Sequence, residues 1–182
     1  MGRLYDSIDP DLGEFIARQR LFFVATAPLA GDGHVNLSPK GLDTFAVLDP
    51  RAVAYLDLTG SGVETIAHVR ENGRITLLFC AFEGPPKILR LHGRGTVVEP
   101  ASAEFATLRA RFGAFDAVRS IIRVDLTRIA DSCGYGVPRF RFEAERPQLA
   151  EWAARKGESG VIAYRREKNR ASIDGLPGVD EG

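Results

Sequence analysis

Two short segments of this 182-residue chain combine residue types and spacings that could bind an anion. The first is Asn36-Leu37-Ser38-Pro39-Lys40-Gly41, which follows an apolar, strand-like run. In extended chain, residues i and i+2 point the same way. Ser38 and Lys40 can therefore offer a hydroxyl and a positive charge to one group. A solvated strand end turning at Pro39 is the competing reading. The second segment is Thr59-Gly60-Ser61-Gly62-Val63-Glu64, a loop that enters a helix. Free backbone N–H groups and the dipole at a helix N-terminus favour a phosphate, and Gly60 and Gly62 let a ligand approach the backbone. Ser61 and Glu64 also form the S-x-x-E pattern of a capping box, which accounts for them without a ligand. Both segments follow strands, so a shared phosphate site is the expectation.

Other chemistry is missing. G-x-G never extends to G-x-G-x-x-G, so there is no dinucleotide fingerprint, and neither a P-loop nor a nucleophile elbow occurs. His34, His68 and His92 form no H-E-x-x-H, and no metal site is expected. Cys80 and Cys133 are too far apart for a CxxC and read as reduced thiols of a cytosolic protein. Lys plus Arg (24) equals Asp plus Glu (24), which excludes the broad basic field of a nucleic-acid binder. No apolar leader opens the chain, and the longest strongly apolar run, Ile75 to Phe82, is too short to cross a bilayer. The expectation is a cytoplasmic protein without a membrane or nucleic-acid partner.

The elements that must position these segments can be read from periodicity. Asp9-Pro10 starts a helix carrying Leu12, Phe15 and Ile16. Leu21 to Ala27 and His34 to Leu37 flank Asp32-Gly33, a hairpin signal. Phe45 to Leu48 and Val53 to Leu58 are strands joined at Asp49-Pro50; a helix follows to about Glu71, ended by Asn72-Gly73. Arg74 to Phe82 is a strand. So is Ile88 to Val98, where Gly93 and Gly95 suggest a bulge. Pro100 to Phe112 reads as a helix, Ser120 to Ile129 as a strand, Phe140 to Phe142 as a strand, and Pro147 to Lys156 as a helix stopped by Gly157. With 45% hydrophobic and 26% charged residues the composition is globular. The reading is mainly β with flanking helices (α+β): one domain over 1–164, then a polar tail over 165–182, either loose or laid over a neighbour.

The run from FFVATA through HVNLSPKG, LDLTGSGVETIAHVRENGRITLLF and ILRLHGRG resembles the pyridoxamine 5'-phosphate oxidase-like group of flavin-binding split barrels. The resemblance extends from about Ile16 to Phe142. It implies a six-stranded split β-barrel forming a homodimer, with FMN in a cleft between the subunits. Carried over, Ser38, Lys40, Thr59, Gly60 and Ser61 become the cofactor-binding candidates, and Arg90 on a later strand reaches the cofactor as well. The oxidase's cations at the helix start have no counterpart in Gly62-Val63-Glu64-Thr65, and its substrate-binding Arg and His residues have no match in the tail. The implied function is an FMN-dependent oxidoreductase acting on a small molecule other than pyridoxamine 5'-phosphate, with no catalytic residue identifiable. A non-catalytic flavin or haem module, or a reductase using the deazaflavin F420, are the alternatives.

Overall fold

The alternation that predicts strands is realised in eight of them, all antiparallel, in the computed structural model, which describes residues 2–180. They are β1 (Leu4–Tyr5), β2 (Phe22–Thr26), β3 (Asn36–Lys40), β4 (Phe45–Asp49), β5 (Ala52–Leu58), β6 (Arg74–Cys80), β7 (Ile88–Val98) and β8 (Val118–Ser132). Seven lie in the order β3-β2-β6-β7-β8-β5-β4, and β1 pairs with β8. The count exceeds the expected six partly because β8 is long. One of its edges pairs with β7. The other is shared between β5, against residues 118–125, and β1, against Ile129 and Ala130.

The two ends of this sheet, β3 and β4, are not hydrogen-bonded to each other. Rings close the interior instead. Phe22 on β2, Phe45 on β4, Tyr55 on β5 and Phe79 on β6 meet with centroids 5.0–5.6 Å apart. An open sheet curled around an apolar core with helices outside is the split-barrel α+β architecture.

Helix α1 (Pro10–Ala17) begins as its sequence requires: the Asp9 carboxylate accepts from Leu12 N at 2.8 Å, and Leu12, Phe15 and Ile16 enter the core. Helix α2 (Glu64–Asn72) packs Ile66 and Val69 into the same core and ends on Gly73, whose φ of 69° is the left-handed cap. Gly93 sits at a register shift between β7 and β8, where a Cβ would lie 2.4 Å from Asp125 O; only glycine fits there. A smaller cluster outside the sheet joins Leu56, Val98 and Ile121 to Phe105, Leu108 and Phe112.

Three expectations need correction. The helix read over Pro100 to Phe112 is only α3, Phe105–Arg109. Phe140 to Phe142 is not a strand: Phe140 N donates to Phe82 O and Phe142 N to the Glu83 carboxylate, and the segment pairs with no strand among the described residues. The last helix, α4 (Gln148–Lys168), is interrupted at Gly157 (φ 63°, ψ 172°) as read, but a second helical piece follows. Trp152 packs on Tyr164 across that break, with ring centroids 5.1 Å apart. Beyond Lys168 the chain lies on its own domain. Arg165, Asn169, Ser172 and Val179 are buried, and Gly178 N and Val179 N donate to Arg170 O and Asn169 O.

Candidate functional site

Pairing with β2 alone makes β3 an edge strand, which is why Pro39 is tolerated within it. Its burial alternates: Asn36, Ser38 and Lys40 face inward, and Leu37 and Pro39 face solvent. Ser38 and Lys40 thus share a side, as their spacing predicts, and Asn36 joins them at i−2. Together with Asp57, Gly60, Gly62 and Thr65 they line a cavity of about 120 Å³.

Asp57 anchors this cavity. It is the one acid in the otherwise apolar strand β5, it is fully buried, and it pairs in register with Ser120 of β8, whose hydroxyl donates to Asp57 Oδ2 at 3.2 Å. Alternation alone would send Arg119 to the other face. The register shifts at Asp57/Leu58, so Arg119 is the extra residue of a bulge, preceded by Ala117 in a left-handed conformation (φ 55°). A bulge re-aims a side chain. Arg119 Nε donates to Asp57 Oδ2 at 2.8 Å, and its Nη1 donates to Gly62 O at 2.9 Å and Asn169 Oδ1 at 2.8 Å. Asn169 in turn donates to Gly60 O at 3.0 Å, so the C-terminal segment fastens the β5–α2 loop.

The electrostatics follow from these contacts. Burial opposes ionisation of Asp57. The charges of Arg119 and then Lys40, with hydrogen bonds from Arg119 and Ser120, outweigh it and hold the carboxyl below its ordinary range. Lys40 Nζ lies 3.6 Å from Asp57 Oδ1, and that oxygen has no hydrogen-bond partner among the described residues. The Glu64 side chain folds back over Gly62, close enough that a Cβ on Gly62 would lie 2.3 Å from its Oε2. A carboxylate of the chain itself therefore occupies the neighbourhood of the α2 N-terminus, where its negative charge suits the dipole. Around the cavity two cations, Lys40 and Arg119, face two carboxylates, Asp57 and Glu64.

A polar network backs the cavity wall. Asn36 Nδ2 donates to Thr26 Oγ1 (3.1 Å) and Thr65 Oγ1 (3.0 Å), and the Ser38 hydroxyl donates to Asn36 Oδ1 (3.0 Å). Thr26 Oγ1 is also 3.0 Å from Nδ1 of His68, a fully buried imidazole that burial keeps below its usual pKa. These bonds fix the side chains of β3 before any ligand arrives.

The remaining sequence candidates lie differently. Thr59 is buried: its hydroxyl donates to Ala117 O at 2.8 Å and accepts from Arg165 Nε at 2.8 Å, so it holds the loop from behind. Ser61 is exposed and does not cap α2. The N-cap is Val63, with no side-chain bond, so the capping box is not formed. Arg90 on β7 is not among the residues around the cavity and donates to Ser132 Oγ at 3.0 Å. Sequence reasoning missed Asn36, Asp57, Thr65, Arg119 and Asn169. Period-2 alternation could have found Asn36, and a lone acid in an apolar strand could have found Asp57. A larger cavity of about 660 Å³, between α4 and the start of β8, contains none of the sequence candidates.

Comparison with known proteins agrees with this architecture. The family model described as pyridoxamine 5'-phosphate oxidase matches residues 8–133. A pyridoxamine 5'-phosphate oxidase family protein of Aspergillus flavus, ustO, is 41% identical over 194 aligned residues, covering 96% of this chain and 77% of the relative. Among solved structures, HupZ from Group A Streptococcus superposes with a TM-score of 0.51 at 22% identity, covering 67% of this chain and 91% of that one. An FAD-binding protein of Mesorhizobium loti superposes with a TM-score of 0.50 at 16% identity, covering 72% and 96%. With most of its length matched by the family model and by a relative at that identity, the chain belongs to the pyridoxamine 5'-phosphate oxidase family.

Proposed function

We propose that the protein binds FMN and acts as a flavin-dependent oxidoreductase on a small molecule. The observation that carries this is the convergence of Ser38 and Lys40 with the loop before α2 in one pre-ordered cavity. Charge and volume decide what part of the cofactor fits. About 120 Å³ is the share of roughly four water molecules. That accommodates part of a hydroxylated chain and not a three-ring system. Lys40 is the cation available to a terminal phosphate, since Arg119 is already committed to Asp57, Gly62 and Asn169. The flavin supplies electron-pair transfer when bound; the protein's part is to hold and orient it.

The ring system needs cover beyond this cavity. A second copy of the chain is the proposed cover, and hence a homodimer; the apolar surface that supports it is the exposed Leu37 on the outer side of β3, with the exposed Val35 just before that strand and Ile173, whose N–H meets Glu64 Oε1. The test is a titration with FMN of protein stripped of any copurifying flavin, followed by the flavin's absorbance and fluorescence. The wild type binds; Lys40→Ala loses one charge-assisted contact, roughly ten- to hundredfold in affinity. Equal affinity in the two proteins removes Lys40 from the site, and absence of flavin binding by the wild type removes the function.

A further inference from the structure

The loop between β5 and α2 has little of its own to fix its shape. It carries two glycines, Gly60 and Gly62, Ser61 is exposed, and α2 has no side-chain cap. Glycine loses more conformational freedom on ordering than any other residue. Yet Gly60 and Gly62 line the cavity, so what the cavity can hold depends on where this loop sits. Its order comes from far along the chain. Asn169, fully buried, donates from Nδ2 to Gly60 O at 3.0 Å and reaches Ser61 O at 3.4 Å. Its Oδ1 accepts from Arg119, which also holds Gly62 O. In a trans peptide the N–H points opposite to the carbonyl. With three successive carbonyls drawn to Asn169 and Arg119, the N–H groups of Ser61, Gly62 and Val63 are turned the other way, and none of them has an acceptor among the described residues.

Asn169 is in turn fixed by the chain that follows it. Val179 N donates to Asn169 O and Gly178 N to Arg170 O, both at 2.8 Å. Val179 enters the core, Arg70 of α2 donates to Gly178 O, and Ile173 N donates to Glu64 Oε1 at 3.3 Å. None of residues 169–179 lines the cavity. We propose that this segment is a positioning strap: Asn169 sets the β5–α2 loop for the cofactor, so that closure of the strap and binding of the cofactor are coupled. This rests on the FMN reading above and adds the element that prepares the site. A ligand that meets an ordered loop does not have to supply its ordering. By linkage, a ligand that uses the ordered loop favours the closed strap by the same factor.

The test has two readouts. In the first, wild type and Asn169→Ala are titrated with FMN, and the folded variant binds about tenfold more weakly, the loss expected for the bonds that hold the loop. A residue with a merely structural role lowers Tm and leaves the affinity of the folded protein unchanged. In the second, hydrogen exchange at Gly178 and Val179 of the wild type is followed with and without saturating FMN, under conditions where the strap opens locally. FMN slows exchange there about tenfold, the reciprocal factor, and leaves α3 near its unliganded rate. This readout needs no variant, so an Asn169→Ala protein that fails to fold does not leave the proposal untested. A folded Asn169→Ala with wild-type affinity overturns the role of the strap while FMN binding stands, and so does a wild-type strap whose exchange is indifferent to bound FMN. Failure of the wild type to bind FMN removes the FMN reading and this inference together.

Discussion

Replacing Arg119 by Met probes the reasoning behind the site most directly. The change removes three hydrogen bonds and leaves the Asp57 carboxylate buried with only the Ser120 hydroxyl at 3.2 Å and Lys40 Nζ at 3.6 Å. Removing one partner of a buried ion pair costs about 3–5 kcal/mol. For a chain of this size that is a fall in Tm of roughly 6–20 °C. Denaturant unfolding of wild type, Arg119→Met and the double variant Asp57→Leu/Arg119→Met measures it. The double variant is expected to recover most of the loss, because no charge is then stranded. The pH dependence fixes the cause. In the wild type the folded pKa of Asp57 lies below 3.8, so its contribution is present above that value and is lost as pH falls through the folded pKa. With the guanidinium's charge and hydrogen bond removed, burial, the largest influence on the group, is expected to carry the folded pKa of Asp57 in Arg119→Met above 3.8. The penalty is then full at pH 7 and shrinks as pH falls through the raised value. A loss below about 1 kcal/mol at pH 7, small for a stranded buried charge, would refute the argument. So would a loss that does not change between neutral and acid conditions.

Two further outcomes follow from contacts already described. Ser61→Ala leaves stability within about 0.5 kcal/mol of wild type in thermal unfolding, as at an ordinary surface position, where a working N-cap would cost about 1 kcal/mol; a loss of that size restores the capping box. The His34 ring and backbone N–H both meet the Asp174 carboxylate, and the ring's hydrogen bond raises the His34 pKa above 6.5. Its contribution is complete below that value and fades as pH rises through the raised pKa, so hydrogen exchange at residues 172–176, corrected for intrinsic rate, should speed up across that range in wild type but not in Asp174→Asn.

Much of the scaffold was legible because it is written in local signals. Asp9 and Pro10 mark a helix start at the residue where the structure has one, and Asn72-Gly73 marks a helix end. Alternation located the paired strands. It misled at Phe140 and Phe142, because alternation reports which side chains can be buried, whereas a strand also needs a free neighbouring edge, and there the backbone finds only one loop carbonyl and one carboxylate. Composition misled over the C-terminal segment for a related reason. A polar run reads as solvated, yet Arg165 and Asn169 are buried because each polar atom meets another: Thr59 Oγ1 and Val118 O for Arg165, Gly60 O and Arg119 for Asn169.

The site divides along the same line. Ser38 and Lys40 were visible as a pair because strand geometry converts a spacing of two into a shared side, and Asn36 obeys the same rule. Arg119 left no trace. Its neighbours Ser120 and Ile121 belong to a strand whose inward face is apolar, and nothing nearby signals an ion pair with a residue 62 positions away. Its role exists only once β5 and β8 are in register and one residue is displaced between Asp57 and Leu58. A phosphate site inferred from spacing alone therefore counted Lys40 and missed Arg119, Asp57 and the fold-back of Glu64. Counting all four changes the electrostatics: two cations face two carboxylates around the cavity, so it is not the purely cationic pocket that spacing alone suggests. That arrangement is set by strand register, and a substitution that removed the bulge would re-aim Arg119 away from Asp57 without touching any residue that the sequence marks as binding.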